Sequence, residues 1–213
     1  MTSAVRLDYA LAMPRWKPGS RERLQAAALD LFSEQGFENT TVSEITGRVG
    51  VTTRTFFRHF ADKRDVLFAG ADEFQQLLVD GTVRAPSELT PLEAIAAAIV
   101  AFDWQTMAPY AAQRQAAVAA SPELMERELI KFDALTAALA DGLRRRGADD
   151  ATASLAAQAG MTVFRTAYAR WAEADNQGDM DQIVNDVLAG LRAAVAARTE
   201  NGAPLSSGLT SSA

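Results

Sequence analysis

The sequence contains no cysteine and a single histidine, His59. That excludes disulfides, thiolate metal sites and cysteine nucleophiles, and it leaves no histidine set for a zinc centre. No run of about 18 apolar residues is present, so no helical membrane span is expected. Residues 1–19 carry Arg6, Asp8, Arg15 and Lys17 with no continuous apolar stretch, and they do not read as a secretory signal. No G-x-S-x-G elbow, P-loop or dinucleotide fingerprint occurs. The carboxylates are many but fall on polar helix faces. An enzyme is therefore the disfavoured class, no metal or cofactor is expected, and the cytoplasm is the default location.

Charge is also scarce in one sense. The net charge of −6 and a pI near 4.9 argue against a generally sticky nucleic-acid binder. Its distribution is uneven, however. Residues 1–70 hold ten basic and eight acidic residues, whereas residues 71–213 hold eleven and nineteen. A DNA partner should meet only the N-terminal third. Within that third no Asp or Glu occurs between Ile45 and Ala61.

What is present reads as all-helical. Alanine and leucine dominate, glycine and proline fall between segments, and no period-2 run suggests a strand. Leu24, Ala27, Ala28, Leu31 and Phe32 define one apolar face of a first helix, with Ser20 as its cap and Gly36 as its stop. The "TVSE" that follows is a capping box, Thr41 with Glu44, opening a helix that Gly50 breaks. A third helix starts at Thr52 or Thr53. Phe56 and Phe60 fall on its inner side, with Thr53, Arg54, Phe57 and Arg58 on the outer. A longer fourth helix is expected from Lys63 to about Gly81. Two short helices joined by a glycine turn, the second with a polar outer face, make a helix-turn-helix. Beyond residue 72 the pattern fits a helical bundle. One helix runs from Pro91 to about Met107, another over roughly 110–119, and a third follows Ser121 as cap. Two long helices then cover about 149–178 and the stretch after Asp179. Residues 1–18 read as a flexible arm, with Met13 an alternative start to Met1, and 199–213 as a disordered tail.

The stretch "RLQAAALDLFSEQGFENTTVSEITGRVGVTTRTFFRHFADKRDVLF" resembles the N-terminal DNA-binding domain of TetR-family transcriptional regulators. The match includes A-x-x-L-F-x-x-x-G-F, T-T-V-x-x-I, G-V-T-x-x-T-x-F-x-H-F and K-x-x-V-L. The resemblance implies a helix-turn-helix domain over 19–68 and a ligand-binding and dimerisation domain over 69–198. It implies that Thr53, Arg54 and Thr55 meet the major groove, where Arg54 can donate twice to a guanine edge. Phe57 takes a place often filled by a phosphate-donating tyrosine, so that hydroxyl contact is lost. His59 and Lys63 lie where the family contacts phosphate. Thr40 and Thr41, at the start of the second helix, can offer backbone N–H groups to another.

The C-terminal two-thirds carry no motif. Phe102, Trp104, Met107, Tyr110, Phe164 and Tyr168, with Arg165 as a polar anchor, read either as bundle core or as the lining of an apolar effector pocket. The last two helices are the expected homodimer interface, with Ala156, Gly160, Leu188 and Leu191 in the contact. The function expected is a ligand-responsive, sequence-specific DNA-binding regulator, more a repressor than an activator. It would read a pseudo-palindromic operator and be released by a small lipophilic effector of unidentified structure. The alternatives are a helical metabolite-binding or scaffold protein without DNA binding and, less favoured, an enzyme.

Overall fold

The computed structural model describes residues 19–173 and 178–196. The arm expected over 1–18 and the tail over 199–213 lie outside the described residues. Among those described there are nine α-helices and no strand. They are α1 (Ser20–Gln35), α2 (Val42–Val49), α3 (Thr53–His59), α4 (Ala71–Arg84), α5 (Pro91–Ala101), α6 (Ala111–Ala120), α7 (Pro122–Arg145), α8 (Asp150–Glu173) and α9 (Met180–Ala196). No described helix is long and apolar enough to cross a membrane.

Two clusters of buried side chains organise the chain. The N-terminal cluster gathers Leu24, Leu29 and Phe32 from α1, Ile45 from α2, Phe56 from α3 and Val66 and Leu67 from a 3-10 turn over Arg64–Phe68. It is not closed by residues 19–68 alone: Val118 of α6 and Leu124 of α7 belong to it. The larger cluster is built by α4, α5, α7, α8 and α9, with Leu78, Ile95, Leu139, Ala157, Val163 and Val184 at its centre.

Local chemistry sets the N-terminal helices as the sequence leads one to expect. Thr41 and Glu44 form the reciprocal capping box, Gly50 leaves α2 in the left-handed region at φ 71°, and Thr52 caps α3 through Thr55 N–H. Phe56 and Phe60, one turn apart, are both buried.

Four expectations are corrected. Ser20 is the first residue of α1 and does not cap it; Gly19 holds the cap position, and the Ser20 hydroxyl is taken by His59. The helix from Lys63 to Gly81 is not continuous. Arg64–Phe68 is a 3-10 turn, Gly70 sits at φ 85°, and α4 starts afresh at Ala71, because the left-handed glycine interrupts the helical ladder. The α5 helix stops at Ala101, where Phe102 turns extended and a second 3-10 turn covers Trp104–Thr106. Ser121 stands at the N-terminus of α7, but its hydroxyl is buried and meets no partner among the described residues.

Candidate nucleic-acid interface and effector site

The face of α3 that turns away from the core is exposed at Thr53, Arg54, Phe57 and Arg58, with Thr55 half-buried. Phe57 is 57% exposed, an unusual cost for a large ring unless something covers it. Among the described residues Arg54 forms neither an ion pair nor a hydrogen bond, so its guanidinium is open to an outside acceptor. Arg58, left out of the expected contact set, shares this face. Its lone internal hydrogen bond among the described residues is a 3.3 Å approach of Nη2 to His59 Nε2. Its place one residue after Phe57 on a seven-residue helix was the available signal.

The residues expected to hold phosphate are committed to the fold to different degrees. Thr40 is buried, and its hydroxyl donates to the Gly36 carbonyl at 2.8 Å. Its backbone N–H donates to the Phe37 carbonyl. It is out of reach of a ligand. Thr41 donates both its N–H and its hydroxyl to Glu44 Oε2, each at 2.7 Å. Those bonds, the hydroxyl's first, hold the Glu44 carboxyl below its ordinary value of 4.5. His59 Nε2 lies 2.7 Å from Ser20 Oγ, and Nδ1 has no hydrogen-bond partner among the described residues. The Lys63 ammonium donates to the carbonyl oxygens of Phe37 at 2.6 Å and Thr40 at 2.9 Å and rests 4.0 Å from the Phe37 ring centroid. With three donors in all, it keeps one for anything else.

On the C-terminal side the expected pocket residues are partly brought together. Trp104 stands among Phe74, Phe102, Phe164, Tyr168 and Trp171, with ring centroids 5.0–6.1 Å away. Its indole N–H donates to the Ile99 carbonyl at 2.8 Å. Met107 rests against the same cluster. Two residues fall elsewhere. Tyr110 packs against the N-terminal cluster, because it lies at the start of α6, the helix that reaches that core. Arg165 is exposed, lies 5.2 Å from the Phe132 ring and lines a cleft of about 660 Å³ between α7 and α8 with Asp133, Asp141 and Gln158. A second cleft of about 450 Å³ separates the end of α1 from α6, with Phe32, Phe37, Ala117 and Ser121 in its walls.

The expected dimer residues also divide. Gly160 is buried, and a side chain there would start 2.8 Å from Cδ1 and Cγ2 of Ile95. The glycine lets α8 approach α5 within one chain and offers nothing to a partner. Leu188 is likewise a core residue, 6% exposed. Ala156 and Leu191 are half-buried against the same core. The outward surface of these helices is carried instead by Leu155, 68% exposed, and Val195, 70% exposed.

Residues 24–69 match the model of the bacterial regulatory proteins, tetR family. The chain is 38% identical over 79 residues to the HTH-type transcriptional regulator TcmR of Streptomyces glaucescens, covering 37% of this chain and 35% of that protein. It is 31% identical over 121 residues to the HTH-type transcriptional regulator HbdR of Aromatoleum sp. (strain CIB), covering 56% and 51%. It thus spans between a third and a half of the length of these curated relatives. Among solved structures, Mycobacterium smegmatis AmtR aligns over 90% of this chain and all of its own, with a TM-score of 0.51 and 23% identity. That likeness speaks for the fold alone.

Proposed function

From the premise that this chain belongs, by its N-terminal domain, to the tetR family of bacterial regulatory proteins, we propose that it is a sequence-specific DNA-binding repressor that a small molecule releases from its operator. The observation that supports this most is the outer face of α3. It carries Arg54, Arg58 and two threonines, no acidic residue stands between Ile45 and Ala61, and among the described residues the Arg54 side chain has no ion pair or hydrogen bond. A solvated helix face in an acidic protein has no reason to shed its carboxylates; a face that meets phosphate and base edges does. The relatives named above are transcriptional regulators, and this weighs against an enzyme or a scaffold that has lost DNA binding.

One helix-turn-helix contacts too few bases for high specificity, so the working unit is a homodimer on a pseudo-palindrome. The outer faces of α8 and α9, with Leu155 and Val195, supply the two-fold contact. Residues 19–68 serve as the reading head, and the rest of the chain as the ligand-binding and dimerisation part. The effector enters among Phe102, Trp104, Met107, Phe164 and Tyr168, where its body must be apolar to replace ring contacts. Tyr110 and Arg165 lie outside that space. The protein works in the cytoplasm, beside its operator. Footprinting of the DNA upstream of its own gene tests the proposal: a protected two-fold site supports it, and uniform, salt-sensitive coating of any duplex speaks against it.

A further inference from the structure

The left-handed break at Gly70 separates the 3-10 turn Arg64–Phe68 from α4, so no continuous helix carries motion from the larger cluster to the N-terminal one. The side chains provide another path. Arg114 of α6 donates its Nε to the Leu67 carbonyl at 3.1 Å, and its guanidinium carbon lies 5.1 Å from the Phe68 ring centroid. Both partners belong to the 3-10 turn. The same guanidinium donates Nη2 to Glu128 of α7 at 2.9 Å. Its side chain is 16% exposed and that of Glu128 is 21% exposed, so the pair is largely shielded from solvent. Tyr168 belongs to the ring cluster, its ring centroid 6.1 Å from that of Trp104 and 6.0 Å from that of Phe164. The Tyr168 hydroxyl is buried and meets no hydrogen-bond partner among the described residues. Burial raises its pKa, and the positive charge of Arg114 acts in the opposite direction.

Two ion pairs join the same seam. Arg64 meets Glu123 at 2.8 Å, and Arg127 meets Asp65 at 2.6 Å. Val118 and Leu124 are themselves part of the N-terminal core. The corner between α6 and α7 is therefore built into the DNA-reading half, while one turn beyond Glu128 on α7 the Phe132 ring lies 6.1 Å from the Phe164 ring of the aromatic cluster.

We infer that Arg114 is the positioning residue through which the aromatic cluster sets the placement of the DNA-reading half. The inference rests on the proposed function for its biological meaning, not for its geometry. A fork is needed: the carbonyl and the carboxylate are met by two separate nitrogens, Nε and Nη2, of one planar group that also faces a ring, a span that the single nitrogen of an ammonium does not cover. Any rearrangement of the cluster that moves Arg114 pulls on Leu67, next to the core residue Val66, and so on the seat of α3.

Amide hydrogen exchange on the full chain tests this in four proteins: wild type, Phe164→Leu, Arg114→Lys and the double variant. Phe164→Leu should speed exchange in residues 64–70 by about tenfold when Arg114 is present. In the Arg114→Lys background the same substitution should change it by less than about twofold. A merely structural arginine would leave the two factors equal, and that result overturns the inference. So does a 64–70 segment that ignores Phe164→Leu altogether. If Arg114→Lys does not fold, Glu128→Gln replaces it, loosening the guanidinium without deleting it, under the same expectation. Binding to the upstream duplex is measured in parallel. A wild type that binds no duplex defeats the proposed function, while the exchange data still decide on Arg114.

Discussion

Lys63 holds Phe37 twice, by a 2.6 Å hydrogen bond to its carbonyl and by the ring face 4.0 Å from the ammonium. With the bond to Thr40, this ties the start of the 3-10 turn to the loop between α1 and α2 across 23 and 26 residues of chain.

Lys63→Ala should therefore destabilise the N-terminal half. Two hydrogen bonds from a charged donor, partly solvated, are worth about 1–3 kcal/mol together. Thermal unfolding followed by circular dichroism reads this directly. The slope of log affinity against log salt should stay unchanged, whereas a phosphate contact at Lys63 would reduce it by about 0.9.

Gly160→Ala places a methyl 2.8 Å from two carbons of Ile95, a fully buried side chain, so that something must shift. Overpacking of this kind costs about 1–3 kcal/mol. Combined with Ile95→Ala, the added methyl occupies vacated space, so the two losses should fall short of additive. Denaturant melts of the four proteins measure the shortfall. Strict additivity would place Gly160 away from Ile95.

The helix-turn-helix was legible because its signals are local. Thr41 with Glu44, the stop at Gly36, the left-handed Gly50 and the one-turn spacing of Phe56 and Phe60 are all set within a few residues. Lys63 was read only as a phosphate ligand because the two carbonyls it bonds lie more than twenty residues back, and backbone acceptors are announced by no side-chain pattern. Gly160 was assigned to a partner subunit because a small residue on a long helix allows close approach to either neighbour. Only the third dimension shows that α5 is the one. The break at Gly70 was hidden by the helical pattern on both sides of it.

Leu155→Glu should leave the fold intact, since the side chain is 68% exposed. It should also abolish dimers in sedimentation at micromolar concentration, because a buried, unpaired carboxylate at a two-fold contact is repeated across the axis. A variant that remains dimeric would move the interface off this face of α8.

The central claim is that α3 reads DNA through Arg54. The most direct test is the affinity of wild type and Arg54→Ala for two duplexes, the site protected upstream of the gene and an unrelated sequence, at one salt concentration. A bidentate guanine contact predicts a loss of about 1–3 kcal/mol on the protected site and a much smaller loss on the unrelated one, with unchanged thermal stability. Equal losses on both duplexes, or a wild type that does not distinguish them, would contradict the account.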